Sequence, residues 1–425
     1  MKKTNSKIGL ILGLIMVLIF ISGCEPPAQP DSGPGGKDYS YDTLLTPYVV
    51  SDPNLEDITL PGLPDVDPDD PEYAAYEQRI EIFTELEYTI YAPNDSDTTF
   101  PVVLFLHGNG GDDPKYYELW IKHIVKKGNI VIYPRYQNIA EDESTSVRER
   151  YLISAICAAK LALNELNNLT IDDVKVNADP DKFALIGHSL GGSFAAYIAA
   201  TYQQTGLPEP DVLLLADPTD ANLAGGNPMP LQVDLPVNVP EYSEETELFS
   251  GSGIYGDIPS STLFLSILAA FGATEPIHDW TREVFIKSGA EPQNKNMIVM
   301  LSDRHGDPNL IANHFAPNAI DADNISEGGA LEQRLLENQG GVNALDYYGY
   351  WKLFDGLCGA AFDDDAAMKN YALWNGEGTA PPEEQTFLGT WSDDTPVTPL
   401  IVFSGEDTPP ASRLTETAWK QNFSR

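Results

Sequence analysis

At 425 residues, 42% of them hydrophobic, the chain has enough apolar content to build a core of one large domain or two ordinary ones, and its composition is not that of a disordered protein. It carries 25 Lys and Arg against 64 Asp and Glu, a formal net charge of −39, and such a surface repels nucleic acid and anionic lipid headgroups. A nucleic-acid partner is therefore not expected, and the charge itself reads as a solubility feature.

In chain order, Lys2, Lys3 and Lys7 open a basic start, and the apolar run from Ile8 to Ile21 is too short to span a bilayer comfortably, so residues 1–23 read as a secretory signal peptide. The run ends in Ile21-Ser22-Gly23-Cys24, which resembles the lipobox of bacterial lipoproteins. That resemblance implies that Cys24 receives lipid, becomes the first mature residue, and anchors the protein to a membrane of the cell envelope, facing periplasm or exterior. Residues 24–40, rich in Pro, Gly and Ser, predict a flexible tether with a reach of about 20 to 25 Å. Residues 41–78 read as an irregular acidic arm lying on the domain.

Regular structure is expected from Arg79, in a domain over 79–370. Strand-like segments are "EIFTELEYTIY", "FPVVLFL", "NIVIYP", "KFALIGHS", "DVLLLA", a stretch of "STLFLSILAAFG", and "NMIVML". Between them "YYELWIKHIVKKG", "SVRERYLISAICAAKLALNEL", "LGGSFAAYIAATYQQTG", "DWTREVFIKSG" and a late "NALDYYGYWKLFDGLCGAAF" have helical spacing or composition. Strands apolar on both faces that alternate with helices predict one α/β domain with a mostly parallel sheet covered on both sides. Pro218 to Pro259 carries six prolines and predicts a long surface excursion between strands. Residues 371–425 read as an irregular C-terminal extension with one or two short strands.

Gly187-His188-Ser189-Leu190-Gly191 fits G-x-S-x-G, a weak pattern alone. Its context strengthens it, because it follows a predicted strand and opens a predicted helix, as a nucleophile elbow requires. Such a turn exposes the serine hydroxyl at the cost of backbone strain, tolerable only between small neighbours, and the helix N-terminus favours negative charge on a bound group. Acyl transfer also needs backbone donors for the developing oxyanion. The amide after the nucleophile, Leu190, is one candidate, and Asn109 in the glycine-rich loop "LFLHGNGG" is the other; the bland alternative is that His107-Gly108 only makes a turn.

With the HG loop, G-H-S-L-G-G after a strand, and a downstream acid and histidine in that order, residues 85–360 resemble the α/β-hydrolase family. More narrowly, "NHFAPN" at 313–318 and "YYGYWKLFDGLCG" at 347–359 are similar to the end of the bacterial lipase, cutinase and polyester-hydrolase group. The insertion between these stretches, the long excursion and the extra terminal segments keep substrate identity from being carried over. The resemblance implies an α/β-hydrolase fold in which Cys157 and Cys358 lie on opposite faces of the sheet, with no disulfide. It also ranks the partners of Ser189. Of six histidines, His107 and His188 belong to the loops just described, His123 reads as part of a solvated helix face, and His278 comes too early in chain order. His305 and His314 remain; His305 has the more usual distance beyond its strand, but His314 has the better motif match and is the preferred base. For the acid, Glu275 in "FGATEPIHD" occupies the position where the family has Gly-x-x-Asp-Pro-Ile and is preferred. Asp217 in "LLLADP" is its rival, since some lipases and chlorophyllase-like hydrolases take their acid from that strand end, and Asp279 is third.

Asp303, His305 and Asp307 alternate tightly, but no H-E-x-x-H or cysteine cluster accompanies them, and no dinucleotide or Walker loop occurs, so neither a metal nor another cofactor is expected. The resulting expectation is a lipid-anchored serine esterase or lipase working through an acyl-enzyme on a small-molecule, lipid or polyester ester. A serine peptidase or acyltransferase on the same scaffold, or a surface binding protein without turnover, are the alternatives.

Overall fold

The computed structural model describes residues 26–30, 39–51, 86–137, 147–219, 254–321, 323, 335–336 and 340–423. The segment read as a signal peptide, Cys24, most of the acidic arm and the core of the proline-rich excursion lie outside the described residues.

The seven apolar segments read as strands assemble into one sheet, joined by one strand from the acidic arm and one from the C-terminal stretch. The strands are β1 (Tyr48–Ser51), β2 (Glu87–Tyr91), β3 (Phe100–Leu106), β4 (Ile130–Pro134), β5 (Ala178–His188), β6 (Val212–Ala216), β7 (Leu263–Ala269), β8 (Lys295–Met300) and β9 (Ile401–Ser404). Their spatial order is β1-β2-β4-β3-β5-β6-β7-β8-β9. From β4 to β8 all neighbours are parallel. On one side β1 pairs antiparallel with β2 and β2 antiparallel with β4, and on the other β9 pairs antiparallel with β8.

The period-two alternation of strand side chains divides the core between two faces. Val102, Leu104 and Leu106 of β3 join one apolar cluster, with Leu152 and Ile156 of α2 (Val147–Glu165), Phe194 and Ile198 of α3 (Leu190–Thr205), and Trp280 and Val284 of α4 (Glu275–Lys287). Val103 and Phe105 join the other, with Trp120 and Ile124 of α1 (Glu118–Lys126) and Leu353 and Phe354 of α5 (Lys352–Phe362). Cys157 and Cys358 are buried free thiols, one in each cluster. A π-helical turn, Leu345–Trp351, leads directly into α5, so the single late helix expected from the sequence begins with wider hydrogen bonding.

The terminal segments are more ordered than their composition suggests. Residues read as tether are hydrogen-bonded to the domain where described: the Pro27 carbonyl accepts from Asp307 N at 3.1 Å and the Ala28 carbonyl from Ser392 N at 2.9 Å. Backbone carbonyls pair irrespective of side-chain polarity, which composition does not register. The arm contributes β1 to the sheet edge. The C-terminal stretch read as an irregular extension supplies β9 and the helix Glu416–Phe423, whose Trp419 is 1% exposed in the same cluster as α4. It is anchored again by Lys352, whose ammonium donates to the carbonyls of Glu384, Gln385 and Phe387 at 2.8, 3.0 and 2.7 Å.

A tryptophan this buried makes the C-terminal segment part of the folding unit. Trp419→Ala is expected to lower unfolding free energy by about 3 to 5 kcal/mol in urea denaturation followed by circular dichroism. A loss within about 0.5 kcal/mol, the range of ordinary surface substitutions, would instead mark the segment as an appendage.

Candidate active site

The parallel register brings several strand ends to one edge of the sheet. Leu106 pairs with Gly187, His188 with Ala216, and Ala216 with Ile267, so the loops after β3, β5 and β6 leave side by side. In an open α/β sheet this carboxyl edge is where ligands bind.

Ser189 forms the turn between β5 and α3 with φ 53° and ψ −119°, a conformation side chains rarely adopt. Three backbone hydrogen bonds hold it: its N donates to the Ala216 carbonyl at 3.1 Å, and its carbonyl accepts from Gly192 at 3.0 Å and Thr219 at 3.1 Å. The flanking glycines are demanded by contact. A Cβ on Gly187 would lie 2.2 Å from the Gly191 carbonyl oxygen, and one on Gly191 would lie 2.1 Å from the Leu106 carbonyl oxygen.

The Ser189 hydroxyl is 2.8 Å from His314 Nε2, and His314 Nδ1 is 2.5 Å from Asp217 Oδ2. A carboxylate only accepts, so His314 donates from Nδ1 and presents the Nε2 lone pair to the Ser189 hydroxyl. Asp217 follows β6 with φ 46° and its side chain is 1% exposed. Its N donates to the Ile267 carbonyl at 2.8 Å and its other carboxylate oxygen accepts from Ala269 N at 2.9 Å. The carboxylate is thus bound at both oxygens before any substrate arrives.

The acid expectation changes accordingly. Asp217, the sequence-level rival, contacts His314, whereas Glu275 is the first residue of α4. The physical reason is strand order: β6 is next to β5, the strand that leads into Ser189, so the residue leaving its end needs no intervening loop to reach the histidine, while α4 follows β7, one strand farther away. Asp279 pairs with His278 Nδ1 at 2.9 Å and its side chain is 58% exposed. His305 lies apart from the serine, with Nε2 bound to Asp393 at 2.8 Å. His123, read as solvated, is buried against Trp351 and bonded to Asp355 at 3.0 Å, because the helix face that carries it packs on the π turn and α5. Among the described residues no group of His, Cys, Asp and Glu has the arrangement to hold a metal ion.

The glycine-rich loop after β3 is fixed through its peptide groups. The Gly108 carbonyl accepts from His107 Nδ1 at 2.8 Å and from Gly111 N at 2.9 Å. Burial pushes the His107 imidazole down to about 3, so it stays neutral and makes this bond as a donor. The Gly110 amide donates to Gln137 at 2.5 Å. Among the described residues the amides of Asn109 and Leu190 have no acceptor.

The β1 to β9 strand order, the sharp turn after β5, and the sequential order Ser189, Asp217, His314 define the architecture. The chain has the α/β-hydrolase fold. The chlorophyllase family matches residues 80–230 of this α/β-hydrolase-fold chain, a stretch that includes Ser189 and Asp217. No curated protein matches it. Solved structures with similarity include a fungal esterase of Rhizomucor miehei, 22% identical over 32% of this chain and 41% of that one, with TM-score 0.25. A thermostable esterase of Pseudomonas putida is 24% identical over 32% of this chain and 40% of that one, with TM-score 0.25. Carboxyl esterase 2 of the mycorrhizal fungus Tuber melanosporum is 15% identical over 64% of this chain and 80% of that one, with TM-score 0.36. The chain spans about two fifths of the length of the first two esterases.

The glycine contacts generate a stability prediction. Gly191→Ala must displace backbone and is expected to cost about 3 kcal/mol or more. Gly110→Ala, at φ 79° with nothing within 4 Å of its Cβ position, carries only the left-handed penalty of about 1 to 2 kcal/mol. Urea denaturation of the two variants checks the order, and equal losses would contradict it.

Proposed function

We propose that the protein is a serine carboxylic ester hydrolase in which Ser189 is the nucleophile, His314 the general base and acid, and Asp217 the residue that orients and stabilises the imidazole. The observation that carries this reading is the continuous hydrogen-bonded line from the Ser189 hydroxyl through both His314 nitrogens to the buried Asp217 carboxylate. Ser189 Oγ attacks the ester carbonyl carbon as its proton moves to His314 Nε2. The tetrahedral intermediate collapses as that proton passes to the leaving alcohol oxygen, which leaves an acyl group on Ser189. Water, deprotonated by the same nitrogen, then attacks the acyl carbon, and the intermediate expels the serine oxygen, which recovers the proton.

The oxyanion is assigned to the amides of Leu190 and Asn109. Support comes from the peptide geometry: carbonyl and N–H point in opposite directions across a trans peptide, and the Gly108 carbonyl is held by His107 and Gly111. The Asn109 N–H of that peptide is thereby directed away from the loop's own hydrogen bonds. Leu190, at the first position of α3, has the free amide of a helix start. Phe315, beside His314, is 36% exposed and offers an apolar surface to an acyl or alcohol group.

Hydrolysis of p-nitrophenyl esters from acetate to palmitate, by chain lacking residues 1–24, tests the assignment. Ser189→Ala and His314→Ala are each expected to lower kcat by about 10⁶ and Asp217→Asn by about 10⁴, with His305→Ala and Glu275→Gln close to wild type. Loss of turnover in Glu275→Gln with retention in Asp217→Asn would reverse the acid assignment.

The same proposal places the protein on a membrane of the cell envelope through lipid on Cys24, on the strength of Ile21-Ser22-Gly23-Cys24 alone. In a bacterial host, radiolabelled palmitate is expected to enter the wild type and not Cys24→Ala. Equal labelling of both would remove the anchor.

A further inference from the structure

In the esterase reading the oxyanion loop and the histidine loop must be held at a fixed separation. They come from distant parts of the chain, after β3 and β8, and the substrate carbonyl must meet the amide of one and the imidazole of the other within hydrogen-bond tolerance. Two buried side chains lie between them. Tyr117 is 1% exposed and His188, the residue before the nucleophile, is 3% exposed.

Their hydrogen bonds form a continuous line. Gly108 N donates to the Tyr117 hydroxyl oxygen at 3.0 Å, the Tyr117 hydroxyl is 2.7 Å from His188 Nδ1, and His188 Nε2 is 2.8 Å from the backbone carbonyl of His314. Every proton in this line is determined. The His314 carbonyl can only accept, so His188 donates from Nε2. Burial, reinforced by the neighbouring His314, holds the His188 imidazole well below the usual histidine range, so the ring is neutral and Nδ1 is an acceptor. Tyr117 must then donate to Nδ1, which leaves its oxygen lone pairs for Gly108. No member can be reversed without leaving a buried polar group unmatched. The backbone around Tyr117 is tied to the histidine loop as well, through Ala319 N to the Tyr116 carbonyl at 2.9 Å and Leu119 N to the Ala319 carbonyl at 3.0 Å.

We infer that Tyr117 and His188 are positioning residues: they form a polar bridge that sets the oxyanion amide at Asn109 and the imidazole of His314 in register with each other. The bridge ends on Gly108 N, one residue before the amide assigned to the oxyanion, and on the carbonyl of the general base itself. It touches neither reacting atom, so its effect falls on the transition state, where both groups must act at once, more than on ground-state binding.

The inference rests on the esterase reading, and the test separates the two. Kinetics are measured per active site titrated with a fluorophosphonate, on Tyr117→Phe, His188→Asn and the double variant. Tyr117→Phe removes one hydroxyl; His188→Asn keeps an acceptor near the Nδ1 position and loses the donor to His314. Each is expected to lower kcat about tenfold to a hundredfold with KM within about twofold, and the double variant to lose no more than the worse single one, since one broken link opens the whole bridge. A structural role would reduce the titratable fraction and leave kcat per site unchanged. Nitrogen-15 spectra of histidine-labelled protein add a readout independent of turnover, with His188 expected as the neutral Nε2–H tautomer from pH 5 to 8. Full kcat per site in either single variant, losses that multiply in the double, or the Nδ1–H tautomer overturns the bridge. A wild type that neither hydrolyses esters nor reacts with the fluorophosphonate overturns the esterase reading, and the bridge with it.

Discussion

The start of α3 lies against the end of β3 at a distance that no side chain permits, and the arrangement of the site depends on that approach. Gly191 meets the Leu106 carbonyl and Gly187 meets Gly191, so helix and strands close together directly behind Ser189. The closeness holds the serine in a left-handed turn that the surrounding backbone hydrogen bonds over-determine. The glycine-rich loop that leaves β3 also comes close, since a Cβ on Gly108 would lie 3.2 Å from Ser189 Cβ.

Strand order does the rest. The strand that leads into Ser189 is flanked by β3, which carries the glycine-rich loop, and by β6, which carries Asp217. With the parallel register aligning their ends, the glycine-rich loop, Ser189 and Asp217 leave adjacent strands without long connections. His314 comes from farther along the chain, and its loop is held in place by contacts along its length: its neighbour Ala312 accepts from Phe271 N at 2.9 Å, and Ala319 pairs with Tyr116 and Leu119. The imidazole is oriented by the Asp217 carboxylate, which selects its tautomer.

Much of this architecture was legible in the residues. Val102 to Leu106 and Phe183 to Ile186 are apolar on consecutive positions, which marks strands buried on both faces, and the glycines around Ser189 name the turn. The choice between Asp217 and Glu275 was not legible, because both follow apolar strands and only the spatial order of those strands decides which reaches the histidine. Trp419 and Ile401 to Ser404 were equally obscure: a four-residue strand and a short helix acquire their meaning only from the sheet edge and the core they complete. Tyr117 carries no local signal at all, since a tyrosine on a helical apolar face is ordinarily a packing residue, and its role arises from a hydroxyl that meets Gly108 and His188 across the fold.

The central claim is that acyl transfer passes through the Ser189 oxygen. Acid quench of the protein milliseconds after mixing with p-nitrophenyl butyrate, followed by peptide mass mapping, measures this directly. The account predicts a butyryl adduct on the peptide containing Ser189 and on no other nucleophile, absent in Ser189→Ala. Ester turnover with the adduct on a different residue, or undiminished turnover in Ser189→Ala, would contradict it.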